Sequence, residues 1–115
     1  MSTPAECLFC RIVAGKVPAD VVAANDDAVA FRDLHPQAPL HVLVVPRVHH
    51  GDVAQLAAAD PALLAAVVGL ADQVAGTEAD GQFRLVFNTG PEAGQSVFHV
   101  HAHVLAGALL GWTPA

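Results

Sequence analysis

Three histidines at alternate positions, His99, His101 and His103, are the side chains best suited to chemistry in this chain of 115 residues. In a β-strand, residues two apart point to the same face. A strand over residues 98–105 would set the three imidazoles in a row, each about 6.6 Å from the next along the backbone, with Val100, Ala102 and Val104 turned into a core. The outer two would then stand roughly 13 Å apart, which suits an elongated group better than a single ion. Imidazole, with an ordinary pKa of about 6.5, serves near neutrality as nucleophile, proton carrier or hydrogen-bond donor. Those are the needs of phosphoryl chemistry. The middle ring, His101, is the expected nucleophile, with its neighbours fixing its tautomer and binding non-bridging oxygens. An isolated His-x-His would more readily be structural or share a metal. Three in register after a glycine-containing loop favour catalysis.

That loop, Gly94-Gln95-Ser96-Val97, leads directly into Phe98-His99. Gly94 lets the backbone approach a ligand closely. The loop amides and the Ser96 hydroxyl can hold phosphate oxygens or protonate a leaving group. Asn88, just before the loop, could donate to the same phosphate or serve only as a turn residue. A second pattern is Cys7-Leu8-Phe9-Cys10. It reads as a redox pair only after a strand in a βαβ unit, as half of a zinc site if two more ligands are found, or as two thiols packed like small hydrophobes.

The elements that must position these groups are legible in outline. A short helix over residues 4–14 should stop at Gly15. Residues 21–24 and 28–32 flank Asn25-Asp26-Asp27 and read as a β-hairpin. The segment 33–39 carries Pro36 and Pro39 and should be a loop. Residues 41–45, rich in β-branched side chains, read as a central strand ended by Pro46. A helical turn is expected over 52–56. Asp60 should cap a longer helix with Pro61 in its first turn, Leu64, Val67, Val68 and Leu70 inward, and an exit at 76–81. Strands are expected over 82–88 and 98–105, with a loop over 89–97 and a tail over 107–115. The order implies one α+β domain spanning 1–115: a mainly antiparallel five-stranded sheet, one long helix on a face and a short N-terminal helix.

Composition limits the partners. Five Lys and Arg against eleven Asp and Glu, a formal charge of −6, disfavour a grip on long nucleic acid. A single nucleotide, held by backbone amides and uncharged side chains, remains compatible. The longest apolar stretch, 63–71, is too short to span a bilayer. With no basic, apolar leader at the N-terminus, a cytoplasmic location is expected.

The run Gln95-Ser96-Val97-Phe98-His99-Val100-His101-Ala102-His103-Val104-Leu105 resembles the signature of the histidine-triad (HIT) superfamily, His-φ-His-φ-His with φ apolar. Pro39-Leu40-His41-Val42-Leu43-Val44-Val45-Pro46-Arg47-Val48-His49 is similar to its Pro-x-His-x-Leu-φ-φ-Pro-x-x-His segment, and Cys7 to Gly15 to its N-terminal opening. Leu105-Ala106-Gly107 and Trp112 look like the purine nucleoside phosphoramidase branch, although Ala106 replaces a common Gly. The Pro-Arg that usually follows the triad in dinucleoside-polyphosphate hydrolases is absent.

The resemblance implies a homodimer with a continuous sheet and two nucleotide sites. It implies cleavage of AMP-amine compounds at the α-phosphorus through a nucleotidyl-histidine, with no cofactor needed for catalysis. His101 would attack, supported by His99, His103, His49 and Ser96. Asp33 would hold the ribose, with Phe31 and Leu34 on the base. Asn88, Gly94, Gln95, Ser96 and Val97 would surround the phosphate together with His101 and His103. Cys7, Cys10, His49 and His99 would form a structural zinc site. His50 competes with His49 by one register, and His35 and His41 are expected to be structural. Two alternatives stay open at this point: a dinucleoside-polyphosphate hydrolase, and a nucleotide- or zinc-binding scaffold with vestigial catalysis.

Overall fold

The structure is a computed structural model in which residues 6–111 are described. Its elements, in chain order, are α1 (Leu8–Val13), β1 (Val21–Ala24), β2 (Ala28–Arg32), β3 (Leu40–Pro46), α2 (Val53–Ala59), α3 (Pro61–Glu78), β4 (Arg84–Val86) and β5 (Ala102–Ala106), with a single 3₁₀ turn at Pro91–Ala93. The five strands form one sheet in the order β1-β2-β3-β5-β4, and each neighbouring pair is antiparallel. This is the expected α+β architecture.

The hairpin closes as its turn residues require. Oδ1 of Asn25 accepts the backbone N–H groups of Asp27 and Ala28, both at 2.9 Å, the local bond that makes Asn a turn former. β3 is buried along its whole length, and so takes the centre of the sheet. Its alternating residues feed two cores. Leu40, Val42 and Val44 join Ala28 and Ala30 of β2, Ala102, Val104 and Ala106 of β5, and the inner side of α3. Leu43 and Val45 join Val29, Phe31, Cys7 and Phe9 on the opposite face, under α1.

The helices depart from expectation in extent. α2 runs through Ala59, longer than a single turn, because Asp52 caps its start by accepting from Gln55 N at 2.9 Å. α3 continues past Gly76 to Glu78. Its buried residues are Leu63, Val67, Leu70, Ala71, Val74 and Ala75, a stripe at three- and four-residue steps. Leu64 is only half-buried and Val68 lies outside, 38% exposed. No described helix is long and apolar enough to cross a membrane. Asp60 both closes α2 and caps α3, accepting Leu63 N at 3.1 Å with Pro61 in the first turn. Asp60→Ala is expected to cost about 1 kcal/mol, read as a lower urea midpoint at unchanged slope.

The helix expected over 4–14 is described from Leu8 to Val13, and Pro4 and Ala5 lie outside the described residues, as do Trp112 and the rest of the tail. β4 covers only 84–86 of the expected 82–88; Phe83 and Phe87 still pack on the α3-side core. The largest difference is in β5, which begins at Ala102 rather than near Phe98. Proline explains it. Val44 faces Ala102, so Pro46 would face Val100. Arg47 N bonds to Asp27 O, on the β2 side. The groups of Pro46 therefore face β5, where proline has no N–H to offer. Val100 N turns instead to His50 O at 2.8 Å. His99 and His101 thus lie on an irregular lead-in to the strand, and only His103 is within it.

Candidate active site and metal centre

His101 is nearly buried, with 7% of its surface exposed. Its Nδ1 lies 2.9 Å from the His99 carbonyl oxygen. A carbonyl only accepts, so Nδ1 carries the proton and Nε2 keeps its lone pair. Among the described residues Nε2 makes no hydrogen bond, and no buried side-chain nitrogen lacks a partner. That atom is therefore open to solvent. Phe9 packs edge-on against the ring at 5.0 Å, and His103 lies 5.2 Å away between centroids. Burial pushes the His101 pKa below the ordinary value, partly offset by the bond to His99 O and by the charge of Asp33. The ring is a neutral imidazole held in the tautomer a nucleophile needs.

His103 is oriented through a residue expected to be only structural. His41 Nδ1 accepts the Gln37 N–H at 2.9 Å, so its proton sits on Nε2. That Nε2 lies 3.0 Å from His103 Nδ1 and 3.5 Å from Asp33 Oδ2. His41 therefore donates to His103, whose own proton is placed on Nε2. Asp33 is fixed by accepting His35 N at 2.8 Å through Oδ1. The Asp33, His41 and His103 ligand atoms are close enough for a metal. With the Nδ1 lone pair of His41 already engaged, a cation on Nε2 would require an imidazolate, so the group reads as a hydrogen-bond chain.

Burial, with His101 and His41 adding to it, lowers the His103 pKa to about 4 against the pull of Asp33. The unfolded chain then binds more protons than the folded one between about pH 6.5 and 4. This contribution to stability is complete above about 6.5 and is lost as pH falls to about 4, by at most about 1.4 kcal/mol per unit. Urea midpoints across that window should fall with pH, and His103→Gln should flatten the curve.

The loop before the triad is built on two glycines at positive φ, Gly90 at 87° and Gly94 at 95°, flanking the 3₁₀ turn. Asn88 Nδ2 donates to Ala93 O at 2.9 Å, bracing the loop. Ser96 is exposed and Val97 is half-buried against the α1-side core. Gln95 is turned inward and buried. Phe31 is buried too, edge-on to Phe9 at 5.5 Å, so its ring is spent on the core. Leu34 stands 90% exposed on the next loop.

The two cysteines and two of the histidines converge in a second cluster. Cys10 Sγ lies 3.3 Å from His49 Nδ1 and 3.4 Å from His99 Nδ1, and Cys7 Sγ lies 3.5 Å from His99 Nδ1. Tetrahedral zinc with ordinary bond lengths sets sulfur and nitrogen ligands about 3.5 Å apart, so the donors fit. His99 Nε2 donates to Pro46 O at 2.8 Å, which leaves Nδ1 as a lone pair aimed at the sulfurs, the outer-shell arrangement typical of a metal-bound imidazole. Burial, chiefly, lowers the His99 pKa to about 4 and keeps that ligand neutral. Burial and the neighbouring Cys7 raise the Cys10 thiol to about 11, a cost that a bound cation reverses. Among the described residues the first strand follows α1, so the redox reading lacks its preceding strand. The His49 and His99 rings meet edge-on at 5.0 Å in this cluster, and His50 is outside it.

Sequence reasoning missed His41. Its signal was its placement two residues after Pro39 on an alternating strand: His41 shares a face with Leu43 and Val45, the face on which His103 also lies.

Residues 14–109 match the model of the HIT domain. An uncharacterised HIT-like protein of Synechocystis is 42% identical over 113 residues, 95% of this chain and 96% of that one. A purine nucleoside phosphoramidase of Escherichia coli is 36% identical over 108 residues, 92% and 91% of the two chains. The crystal structure of a HIT family hydrolase from Legionella pneumophila aligns with a TM-score of 0.89 at 40% identity, over 95% of this chain and 99% of that one. Sheet order, triad and relatives agree, and the chain belongs to the histidine-triad (HIT) family.

Proposed function

We propose that the protein is a nucleotide hydrolase that cleaves purine nucleoside phosphoramidates at the α-phosphorus through a covalent nucleotidyl-His101. The observation that carries this reading is the bond from His101 Nδ1 to His99 O, which leaves Nε2 unprotonated and free to attack. Nε2 forms a bond to phosphorus as the phosphorus–nitrogen bond of the substrate breaks. The amine leaves with a proton, supplied by the Ser96 hydroxyl or by the Nε2–H of His103. Water then attacks the same phosphorus as the bond from phosphorus to Nε2 breaks, and its proton returns to the group that protonated the amine, releasing the nucleoside monophosphate and restoring the imidazole. Charge building on the non-bridging oxygens meets loop amides and the His103 donor, a pre-set electrostatic site. Asp33 holds the ribose hydroxyls and Leu34 covers the base. The named activity of the Escherichia coli relative supports the leaving-group class.

Zinc at Cys7, Cys10, His49 and His99 would supply a structural cross-link. All four positions are filled by protein, so none is left open for substrate. A thiolate centre also fits a reducing compartment such as the cytoplasm. We further read the working form as a homodimer, with the short edge strand β4 extending the sheet into a second copy.

The test is direct capture. Mixing the protein with an adenosine 5′-phosphoramidate and quenching within one turnover should add one adenylyl group to the peptide holding His101, read by mass spectrometry. Turnover of a dinucleoside polyphosphate in preference to the amidate would move the reading to the other branch. Nucleotide binding with neither adduct nor turnover would replace it by a scaffold role.

A further inference from the structure

We infer that Gln95 is a positioning residue whose side-chain amide clamps the phosphate loop onto Gly51 and makes no contact with the nucleotide. The inference rests on the reading of residues 90–97 as that loop. A glutamine amide has two N–H donors. In Gln95 both are engaged, one with Gly51 O at 2.7 Å and the other with Val97 O at 3.1 Å. Its Oε1 accepts Gly90 N at 2.9 Å. Its backbone N–H is engaged as well, with Gly90 O at 3.0 Å. No donor of Gln95 is left for a phosphate oxygen, and the side chain is buried with 4% exposure. It closes the loop on itself, from Gly90 to Val97, and fastens it to a neighbouring segment.

That segment is a firm support. His49 belongs to the metal cluster, His50 O accepts Val100 N, and Asp52 caps α2. Gly51 is the remaining residue, and Gln95 is what holds its carbonyl. Without the clamp the loop still has its internal turn bonds from Ala93 N to Gly90 O and Gly94 N to Pro91 O, the Gln95 backbone bond and the Asn88 brace, but loses its side-chain tie to Gly51. The loop amides and Ser96 would then have to be ordered by the substrate during each turnover.

The experiment compares Gln95→Met, which keeps the volume and loses every side-chain hydrogen bond, with Gln95→Ala and wild type. Three quantities are read: amide exchange in nucleotide-free protein, AMP affinity, and kcat and KM on the amidate. Exchange at the Ala93, Gly94 and Gln95 amides should rise about tenfold or more in both variants, as loss of a buried hydrogen-bond set implies, while α3 amides stay unchanged. AMP should bind about tenfold more weakly, and kcat should fall further than KM rises. If Gln95→Met exchanges like wild type, packing volume is sufficient and the clamp is overturned. Unchanged loop exchange with only weaker AMP binding would mean direct phosphate contact, which also overturns it. So would a proportional rise in α3, the mark of a general loss of stability. A wild type that turns over no amidate would count against the proposed function alone, because the exchange arms decide the clamp without substrate.

Discussion

His101→Ala is expected to reduce turnover of an adenosine phosphoramidate by roughly 10⁴-fold or more, the scale seen when a covalent nucleophile is removed. Neither neighbouring histidine can take its place at the phosphorus. His103 Nδ1 already accepts from His41 and its Nε2 carries a proton, and His99 Nδ1 faces two sulfurs. The fold should survive, since the lost ring makes edge contacts with Phe9 and His103 and the strand ladder starts one residue later. AMP should still bind, because the loop and Asp33 are untouched. The measurement is single-turnover kinetics beside a circular dichroism melt. Residual turnover within tenfold of wild type would remove His101 from the reaction.

The second large effect concerns metal. Zinc held about 1,000-fold above its dissociation constant stabilises a folded chain by about 4 kcal/mol, and for a domain of this size the loss is on the order of 15 °C in Tm. Chelation should produce a drop of that order, and Cys10→Ala should reproduce it without chelator. Cys10 is the best single probe, because its sulfur touches both imidazoles of the cluster. Activity should fall as well. His99 aims its ring at the Cys7 and Cys10 sulfurs and its carbonyl at His101, so loosening one disturbs the other. Elemental analysis and a melt with and without chelator check this. A melt indifferent to both metal and Cys10→Ala would leave the thiols as small packed side chains.

Much of this was legible because local chemistry decided it. Asn25 makes its turn with its own neighbours, and Asp60 with Pro61 starts α3 wherever the helix lies. The full ligand set Cys7, Cys10, His49 and His99 came instead from the family resemblance, and the structure brings all four together. The unread parts depend on partners across the sheet. Val68 looked inward because it is apolar, but the helix phase is set by which side meets β3 and β5. The 98–105 run alternates like a strand, yet its first half pairs with nothing regular because of the residue opposite. His41 was read as a strand-start residue; only the β3–β5 register, which sets it against Leu105 and diagonal to His103, makes it part of the site. The inward turn of Gln95 is likewise invisible until Gly51, 44 positions away, is seen beneath it.

The missing N–H at Pro46 also bears on attempts to toughen this molecule. A residue such as valine there would let the zipper between β3 and β5 run on by one more matched pair and gain an extra bond. The same repair would draw Val100 away from His50 and take the Pro46 carbonyl away from the His99 ring. A consensus-minded engineer would thereby obtain a tidier sheet and a displaced His99–His101 segment. The gap is where regular structure yields to the placement of His99 and His101, and thermostability screens that score melting alone would select against it.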